Sequence, residues 1–300
     1  MKRNEFLKIA AGFTGAALLG LNKSDAQILK RNKVPVGGHV WVYAKDQPGY
    51  DVTPVLSQIF SDMKYAGLDG VETMEHPLRS AETTRLIGEL IEKHEIPLLG
   101  SSYGADMWDR SKHNEILEDV ENIMVNMQKV RGRTFGTSVG HPSGRKKTEA
   151  EFDAQAELLK KLIGLGKSKQ IVLNLHNHTY EVENHLYDLK GTLKRIPDVR
   201  LGPDLNWLLR AGVDPVWFLK KYKKNIVFMH LRDQLKNGKW PESIGEGDVD
   251  FLGIGNTLDK INFNGDLVIE LAFEDGFSPT RPIRDSLKMS REYLRNIMGY

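Results

Sequence analysis

Residues 170–204 read QIVLNLHNHTYEVENHLYDLKGTLKRIPDVRLGPD. The apolar run 170–175 predicts a strand, and segment 183–195 has the spacing of an amphipathic helix. A second apolar run, 199–202, predicts the next strand. Polar residues follow both strands directly, as His176-Asn177-His178 and as Asp204. A strand, a helix and a further strand in this order are typical of a parallel β-sheet.

The same alternation extends along the chain from residue 39 to residue 297. Strands are predicted at 39–43, 70–73, 96–101, 133–139, 170–175, 199–202, 225–229 and 266–270. Helices are predicted at 52–66, 81–94, 112–131, 148–166, 183–195, 215–222, 251–260 and 281–297. Eight such units in roughly 260 residues predict an α/β fold, a closed (β/α)8 TIM barrel. A doubly wound open sheet is the alternative, but no glycine-rich turn follows the first strand and polar residues follow most strands.

The composition is that of an ordinary globular protein. Of 300 residues, 40% are hydrophobic and 27% are charged, and the formal net charge is +2. Beyond residue 26 the acidic and basic residues balance, which disfavours nucleic acid as a partner because nucleic-acid-binding proteins carry a basic surface. The chain contains no cysteine, so disulfides, thiolate metal sites and a cysteine nucleophile are excluded. Any metal ion must therefore be held by His, Asp or Glu.

The first 26 residues have the features of a signal peptide. Basic residues precede an apolar stretch, 9–21, and Ser24-Asp25-Ala26 suits cleavage before Gln27. The apolar stretch is short for a membrane span, which needs about 20 residues. An amphipathic helix belonging to the fold is the alternative interpretation of this segment.

The export route is left open by the sequence. Arg3–Lys8 resembles a twin-arginine export signal in which Asn4 replaces the second arginine, so the route is either twin-arginine or Sec. Either route predicts an exported, periplasmic protein without a stable membrane anchor after processing. Its mature part, 27–300, is predicted to be a single barrel domain. Because phosphorylated sugars are scarce outside the cytoplasm, the substrate is expected to be unphosphorylated.

The active site of a (β/α)8 barrel lies where its strands end. Four consecutive predicted strands end in residues able to bind metal: His176, Asp204, His230 and Glu270. Two imidazoles with two carboxylates suit Mn, Co, Zn or Fe better than Ca. A single member has a structural explanation, such as helix capping by Asp204 or an ordinary hydrogen bond of His230. Glu270 lies in an apolar strand, where a carboxylate needs a partner, and the recurrence at four strands predicts a divalent-metal site.

Further polar and aromatic residues follow the other strands and lie beside this set. They suit hydroxyl recognition and stacking on a sugar ring, although aromatic residues at a barrel rim also serve simple packing. The candidate substrate-binding residues are Glu72, Tyr103, His141, His178, Trp207 and Asp233.

These residues carry a resemblance to the xylose isomerase-like TIM barrel superfamily over most of residues 36–298. That superfamily contains sugar (phosphate) isomerases and epimerases, inosose dehydratases and type IV AP endonucleases. The motifs are Gly70-Val71-Glu72, His176-Asn177-His178, Asp204-Leu205-Asn206, His230-Leu231-Arg232-Asp233, Gly245–Phe251 and Val268-Ile269-Glu270. Each follows the strand at which the superfamily has it.

The resemblance implies a divalent metal held by Glu, Asp, His and Glu at the last four strands. Asp204, His230 and Glu270 match this set, whereas His176 stands where the superfamily has Glu. The resemblance also implies that Glu270 is the catalytic base. Its partner acid is then His176, His178 or Glu181, of which Glu181 has the alternative of a solvated residue in the first turn of a helix.

A metal in this set would act as a Lewis acid on a carbonyl while a base removes the proton alpha to that carbonyl. The first hypothesis is therefore a sugar isomerase or epimerase. The second is a carbon–oxygen lyase or hydratase acting on a keto-sugar or keto-glycoside, favoured by the loss of the paired glutamates. The third is a non-catalytic carbohydrate-binding barrel, and DNA repair fits the neutral charge and the export signal worst. A homo-oligomer is expected only by analogy with related barrels.

Overall fold

One sheet of parallel β-strands forms the wall of the barrel. The computed structural model describes residues 34–300, and the predicted signal peptide lies outside them. In chain order the strands are β1 (Val36–His39), β2 (Val71–Met74), β3 (Leu98–Gly104), β4 (Thr134–Ser138), β5 (Val172–Leu175), β6 (Phe228–Leu231) and β7 (Asp266–Ile269). Their order in the sheet is β5-β4-β3-β2-β1-β7-β6, and each neighbouring pair is parallel.

The gap between β5 and β6 is closed by the segment predicted as the sixth strand. Leu201 forms parallel bridges with Leu175 on one side and with Ile226 on the other. The predicted strand 199–202 is thus reduced to isolated bridges at Leu201 and, just beyond it, between Asp204 and His230, because Pro203 between them has no N–H to donate. With this segment the sheet has eight positions, and the predicted (β/α)8 TIM barrel is confirmed.

Helices follow the strands and cover the outside of the barrel. They are α1 (Trp41–Ala44), α2 (Leu56–Tyr65), α3 (Ala81–His94), α4 (His113–Lys129), α5 (Glu149–Ser168), α6 (Thr179–Arg195), α7 (Leu205–Arg210), α8 (Pro215–Tyr222), α9 (Phe251–Lys260) and α10 (Ile283–Met298). Apolar faces of these helices pack on the sheet, and the largest fully buried side chains include Phe60, Phe135, Phe152 and Phe218. Of the described residues, no helix has the length and apolar character needed to cross a membrane.

The first strand lies earlier in the chain than the sequence predicts. A strand was expected at 39–43, but β1 ends at His39 and α1 follows it. Two glycines in β1 explain why the sequence does not predict it. A Cβ at Gly37 would collide with Leu99, and a Cβ at Gly38 would collide with Met63. The strand therefore lacks the apolar side chains by which strands are recognised in a sequence.

Helix α6 also departs from its prediction. It begins at Thr179 instead of residue 183, and its backbone leaves helical geometry at 183–186. Asn184, His185 and Leu186 have positive φ angles of 51°, 61° and 63°. The earlier start matters for the site, because it turns the residues directly after β5 into the cap of a helix.

Candidate active site

A cavity of about 650 Å³ lies at the C-terminal ends of the barrel strands. The structure brings six of the predicted site residues to its wall: Tyr103, His176, His178, Trp207, His230 and Glu270. Residues that the sequence did not single out share the wall with them, among them His39, Trp41, Ser102, Arg232 and Trp240. The cavity is thus built from most of the strand ends, as the barrel fold requires.

His230 stands at the centre of the cavity floor, near the end of β6. Its Nδ1 lies 3.2 Å from Nδ1 of His176 and 3.0 Å from Oε2 of Glu270. On its other side, Nε2 lies 2.5 Å from Oε2 of Glu72. Burial lowers the pKa of His230, but the two carboxylates outweigh burial and raise it well above 6.5. The two carboxylates on either side of His230 therefore favour its protonated form.

The two carboxylate oxygens of Asp204 make different contacts. It is the N-cap of α7, where Oδ1 accepts hydrogen bonds from the backbone N–H groups of Asn206 at 2.8 Å and Trp207 at 3.2 Å. Its Oδ2 is turned into the barrel, 3.3 Å from a guanidinium nitrogen of Arg232. The carboxylate is fully buried. Burial raises its pKa, and the positive charge of Arg232 opposes that shift.

Arg232 is a site residue that sequence reasoning missed. Its Nη2 lies 2.6 Å from Oε1 of Glu270, and its Nε donates to the backbone carbonyl of the same residue at 3.2 Å. Burial raises the pKa of Glu270, but Arg232 and His230 together hold it well below 4.5. The spacing of the two residues could have identified Arg232. It follows His230 by two residues, and residues two apart in a strand face the same side, so both face the barrel interior.

The donor set fits a divalent metal. One ligand atom each from His176, Asp204 and His230 lie within 4.8 Å of one another. Glu270 Oε2 is buried without a hydrogen bond, beside the Nδ1 atom of His230. Two imidazoles and two carboxylates suit Mn, Co, Zn or Fe. Glu72 would then be the outer carboxylate that orients a ligating histidine, the arrangement common around bound metals.

A second group of potential ligands shares His230. It consists of His39, Glu72 and His230, again with one atom each within 4.8 Å. Both nitrogens of His39 are engaged, because Nδ1 accepts from the N–H of Trp41 at 3.0 Å and Nε2 lies 2.9 Å from Oγ of Ser102. His39 was overlooked because the strand was predicted three residues too late, which placed this histidine at the wrong end of it.

Glu181 does not line the cavity. Its Oε1 accepts from the hydroxyl of Ser138 at 2.8 Å and from the N–H of Val139 at 3.0 Å, and its Oε2 accepts from the N–H of His178 at 2.5 Å. Both oxygens are therefore occupied in capping α6 and joining it to β4. In this arrangement neither oxygen of Glu181 is directed into the cavity, where the sequence predicts a candidate partner acid.

His178, unlike Glu181, has its side chain on the cavity wall. Its ring lies on the cavity wall, with its centroid 4.8 Å from that of His176 and 5.7 Å from that of Trp207. Burial lowers its pKa, but the neighbouring Glu181 carboxylate outweighs burial and raises it above 6.5. By contrast, burial and the adjacent imidazoles lower the pKa of His176 well below 6.5. Adjacent groups of opposite tendency are suited to acid and base roles.

Three predicted substrate-binding residues lie outside the cavity wall. Glu72 is buried behind His230, and the ring of His141 stacks on Tyr180 with centroids 4.1 Å apart. Asp233 is buried and binds backbone: its Oδ2 accepts from the N–H groups of Gly245 at 2.8 Å and Gly247 at 2.9 Å. These three residues therefore do not line the cavity, and Asp233 organises the loop after β6.

Comparisons with known proteins agree with this architecture. The model of the family described as "Xylose isomerase-like TIM barrel" matches residues 60–293. An inosose dehydratase of Clostridium tetani is 22% identical over 305 residues, covering 89% of this chain and 98% of the relative.

Solved structures show the same fold. The D-allulose 3-epimerase of Methylomonas sp. superposes with a TM-score of 0.73 at 14% identity, over 88% of this chain and 97% of that one. The 3-keto-D-glucoside 4-epimerase of E. coli has a TM-score of 0.64 at 18% identity, over 87% and 100%.

Proposed function

The chain belongs to the xylose isomerase-like TIM barrel family, and from that premise we propose that it is a metal-dependent carbon–oxygen lyase acting on an unphosphorylated keto-sugar or keto-glycoside. The observation that carries this proposal is the pair His176 and His178 at the end of β5. A histidine stands where the family has a glutamate, and Glu181 is committed to capping. The site therefore has one carboxylate base with an imidazole acid, which suits elimination better than a symmetric exchange of protons.

The proposed reaction assigns a task to each group around the cavity. A divalent metal held by His176, Asp204, His230 and Glu270 would polarise the carbonyl and an adjacent hydroxyl of the sugar as a Lewis acid. The Glu270 carboxylate accepts the proton alpha to the carbonyl. His178, in its protonated form, donates a proton to the β-hydroxyl as the C–O bond breaks. A C=C bond forms, and water leaves.

Support for elimination also comes from relatives. The inosose dehydratase of Clostridium tetani, which covers nearly the whole chain, is by its name a lyase. The candidate site has a carboxylate, Glu270, for the first half of such a reaction and the imidazole of His178 on the cavity wall for the second.

Epimerisation is the second candidate. The D-allulose 3-epimerase and the 3-keto-D-glucoside 4-epimerase share the fold. Removal of the alpha proton is common to both outcomes, and return of a proton to the same carbon from the side of His178 gives the epimer. The presence of a β-leaving group in the true substrate separates elimination from epimerisation.

The test follows product and proton together. Keto-sugars and keto-glycosides are incubated in D2O with the purified protein and Mn2+, and an unsaturated product is detected by its ultraviolet absorbance. We expect elimination in the wild type, and in His178→Asn a loss of product of about 10²- to 10⁴-fold with retained exchange of the alpha proton. Glu270→Gln should lose both. His141→Asn, which changes a histidine outside the cavity, is the matched control.

The outcomes of this test are distinct. Exchange with an isomeric product that does not absorb establishes the epimerase and overturns the lyase. Binding of sugar without exchange or product in any condition establishes a carbohydrate-binding barrel instead.

We propose further that residues 1–26 are a signal peptide and that the mature protein is periplasmic. The support is the basic, apolar and small-residue pattern of this segment. N-terminal sequencing of protein recovered from the periplasmic fraction is expected to begin at Gln27. Recovery of the uncut chain from the cytoplasm would contradict export.

A further inference from the structure

Arg232 contacts the carboxylates of both Asp204 and Glu270 through its guanidinium, at the C-terminal end of the barrel. Its guanidinium is 3% exposed and lies 2.6 Å from Glu270 Oε1 and 3.3 Å from Asp204 Oδ2. One side chain thus spans two of the four residues that form the proposed metal site. Both contacts are made by Nη2, which carries two N–H groups, while Nε donates to the backbone carbonyl of Glu270 at 3.2 Å.

The buried carboxylates need a cation whether or not a metal is bound. Asp204 is fully buried and Glu270 is 8% exposed, and leaving such charges unpaired is strongly destabilising. In the metal-free chain Arg232 and His230 provide the compensating charge. A divalent metal would bring a further positive charge to the same place.

Asp204 is the residue for which Arg232 and a divalent metal would compete. Its Oδ1 is engaged by the N–H groups of Asn206 and Trp207, so Oδ2 is the oxygen left for a metal. That oxygen is the one bound by Arg232. A metal at Oδ2 would share that oxygen with the guanidinium, and the repulsion between the two positive charges sets them in competition.

The guanidinium of Arg232 also lies close to two tryptophan rings beside the site. The carbon Cζ of Arg232 lies 5.4 Å from the ring centroid of Trp207 and 4.9 Å from that of Trp240, within the range of cation–π attraction. Trp240 is fixed because its Nε1–H donates to Oδ1 of Asn206 at 2.9 Å. A small shift toward these rings releases Asp204.

We propose that Arg232 is a built-in counter-cation that stabilises the metal-free barrel and competes with the divalent metal for Asp204. This inference rests on the proposed metal dependence. It predicts that the wild-type site binds metal less tightly than its ligand set allows, in exchange for a site that stays ordered without metal.

The test compares Arg232→Met with Arg210→Met. Arg210 also stacks on Trp207 and Trp240, with Cζ 5.3 Å and 4.1 Å from the ring centroids, but its polar contacts are with Gln234, Gly238 and Glu274. Chelator-treated full-length proteins are titrated with Mn2+ by calorimetry, and their thermal midpoints are recorded without metal. We expect Arg232→Met to bind Mn2+ about 10- to 100-fold more tightly than the wild type, the equivalent of one hydrogen bond to a charged group. Its metal-free form should also unfold at a lower temperature.

Arg232→Lys keeps the test decisive if the methionine variant does not fold without metal. Lysine retains the charge but lacks the Nε–H group that anchors Arg232 to the backbone carbonyl of Glu270, so its Mn2+ affinity should also exceed that of the wild type. Arg210→Met should bind Mn2+ as the wild type does. Equal or weaker Mn2+ binding by folded Arg232 variants would overturn the competition, whereas a wild type and variants that all bind no metal would overturn the proposed metal dependence itself.

Discussion

At the residue scale, the contact between Glu72 and His230 decides which imidazole nitrogen is available to a metal. Glu72 is 1% exposed, and its Oε2 holds Nε2 of His230. The other nitrogen, Nδ1, is thereby directed to the point where His176 and Glu270 meet. A buried carboxylate behind a ligating histidine fixes its ring and its tautomer.

Glu72→Gln is expected to weaken divalent-metal binding by about 10- to 100-fold, because the amide does not support His230 as the carboxylate does. Calorimetric titration with Mn2+ measures the change. Glu75→Gln is the matched control, since Glu75 lines the same cavity but forms an ion pair with Arg79. Unchanged metal affinity in Glu72→Gln would show that Glu72 does not orient a ligand.

The affinity for metal is expected to rise with pH. The raised pKa of His230 means that its charged form stabilises the metal-free fold below the ordinary pKa, and that this stability is lost as pH rises through the raised value. A metal needs the neutral imidazole, so His230 must release a proton when metal binds. Mn2+ titrations between about pH 6 and about pH 8 should show tighter binding at the higher pH. An affinity that is constant or falls over this range would contradict the assignment of His230 as a ligand.

The strand-end rule identified the candidate metal ligands that the structure brings together, but not the residues that contact them. His176, Asp204, His230 and Glu270 were accessible to sequence reasoning because a barrel places the ends of its strands together. The capping of α6 by Glu181 was not, since it depends on where a helix starts, and helix starts are uncertain by several residues in a sequence. Arg232 was missed although its spacing from His230 pointed inward.

At the scale of elements, the loop after β6 is organised around the carboxylate of Asp233. Asp233 accepts four backbone hydrogen bonds, from Gln234, Gly245, Gly247 and Val249. Its close approach to Gly247 leaves no room for a Cβ there, which explains the glycine in Gly245-Glu246-Gly247. The motif therefore serves the loop that carries Trp240 to the cavity.

Asp233→Ala is expected to lower the free energy of unfolding by about 3 kcal/mol, because several buried N–H groups lose a charged acceptor. Chemical denaturation measures this loss. Asp248→Ala, in the same loop, removes an acceptor that binds one N–H group, that of Lys236, and should cost less. Equal stability of Asp233→Ala and the wild type would restore the interpretation of Asp233 as a substrate ligand.

The elements that the sequence predicted least well are those without side-chain signals. Helix α3 was predicted with its observed bounds, because its apolar period is regular and Ser80 caps it. Strand β1 was misplaced and the strand around Leu201 is shorter than predicted, because glycine and proline replace the branched residues typical of strands. Both errors lie beside the cavity, where the backbone departs from regular geometry.

At the scale of the whole molecule, the barrel has a core that does not depend on the metal. Buried apolar residues form one cluster that joins the strands to the surrounding helices, and Arg232 compensates the carboxylates at the site. Removal of metal by a chelator should therefore leave the far-ultraviolet circular dichroism unchanged and lower the thermal midpoint only through loss of binding energy. Collapse of the helical signal on chelation would contradict this separation of core and site.

The metal content of the purified protein tests the central claim most directly. The account predicts about one Mn, Co, Zn or Fe per chain by elemental analysis, and loss of this metal in both Glu270→Ala and His230→Ala. A folded wild type that carries no metal and takes up none when Mn2+, Co2+, Zn2+ or Fe2+ is added would contradict the account. It would leave the barrel and its cavity in place but remove the metal-supported proton abstraction on which the proposed function stands.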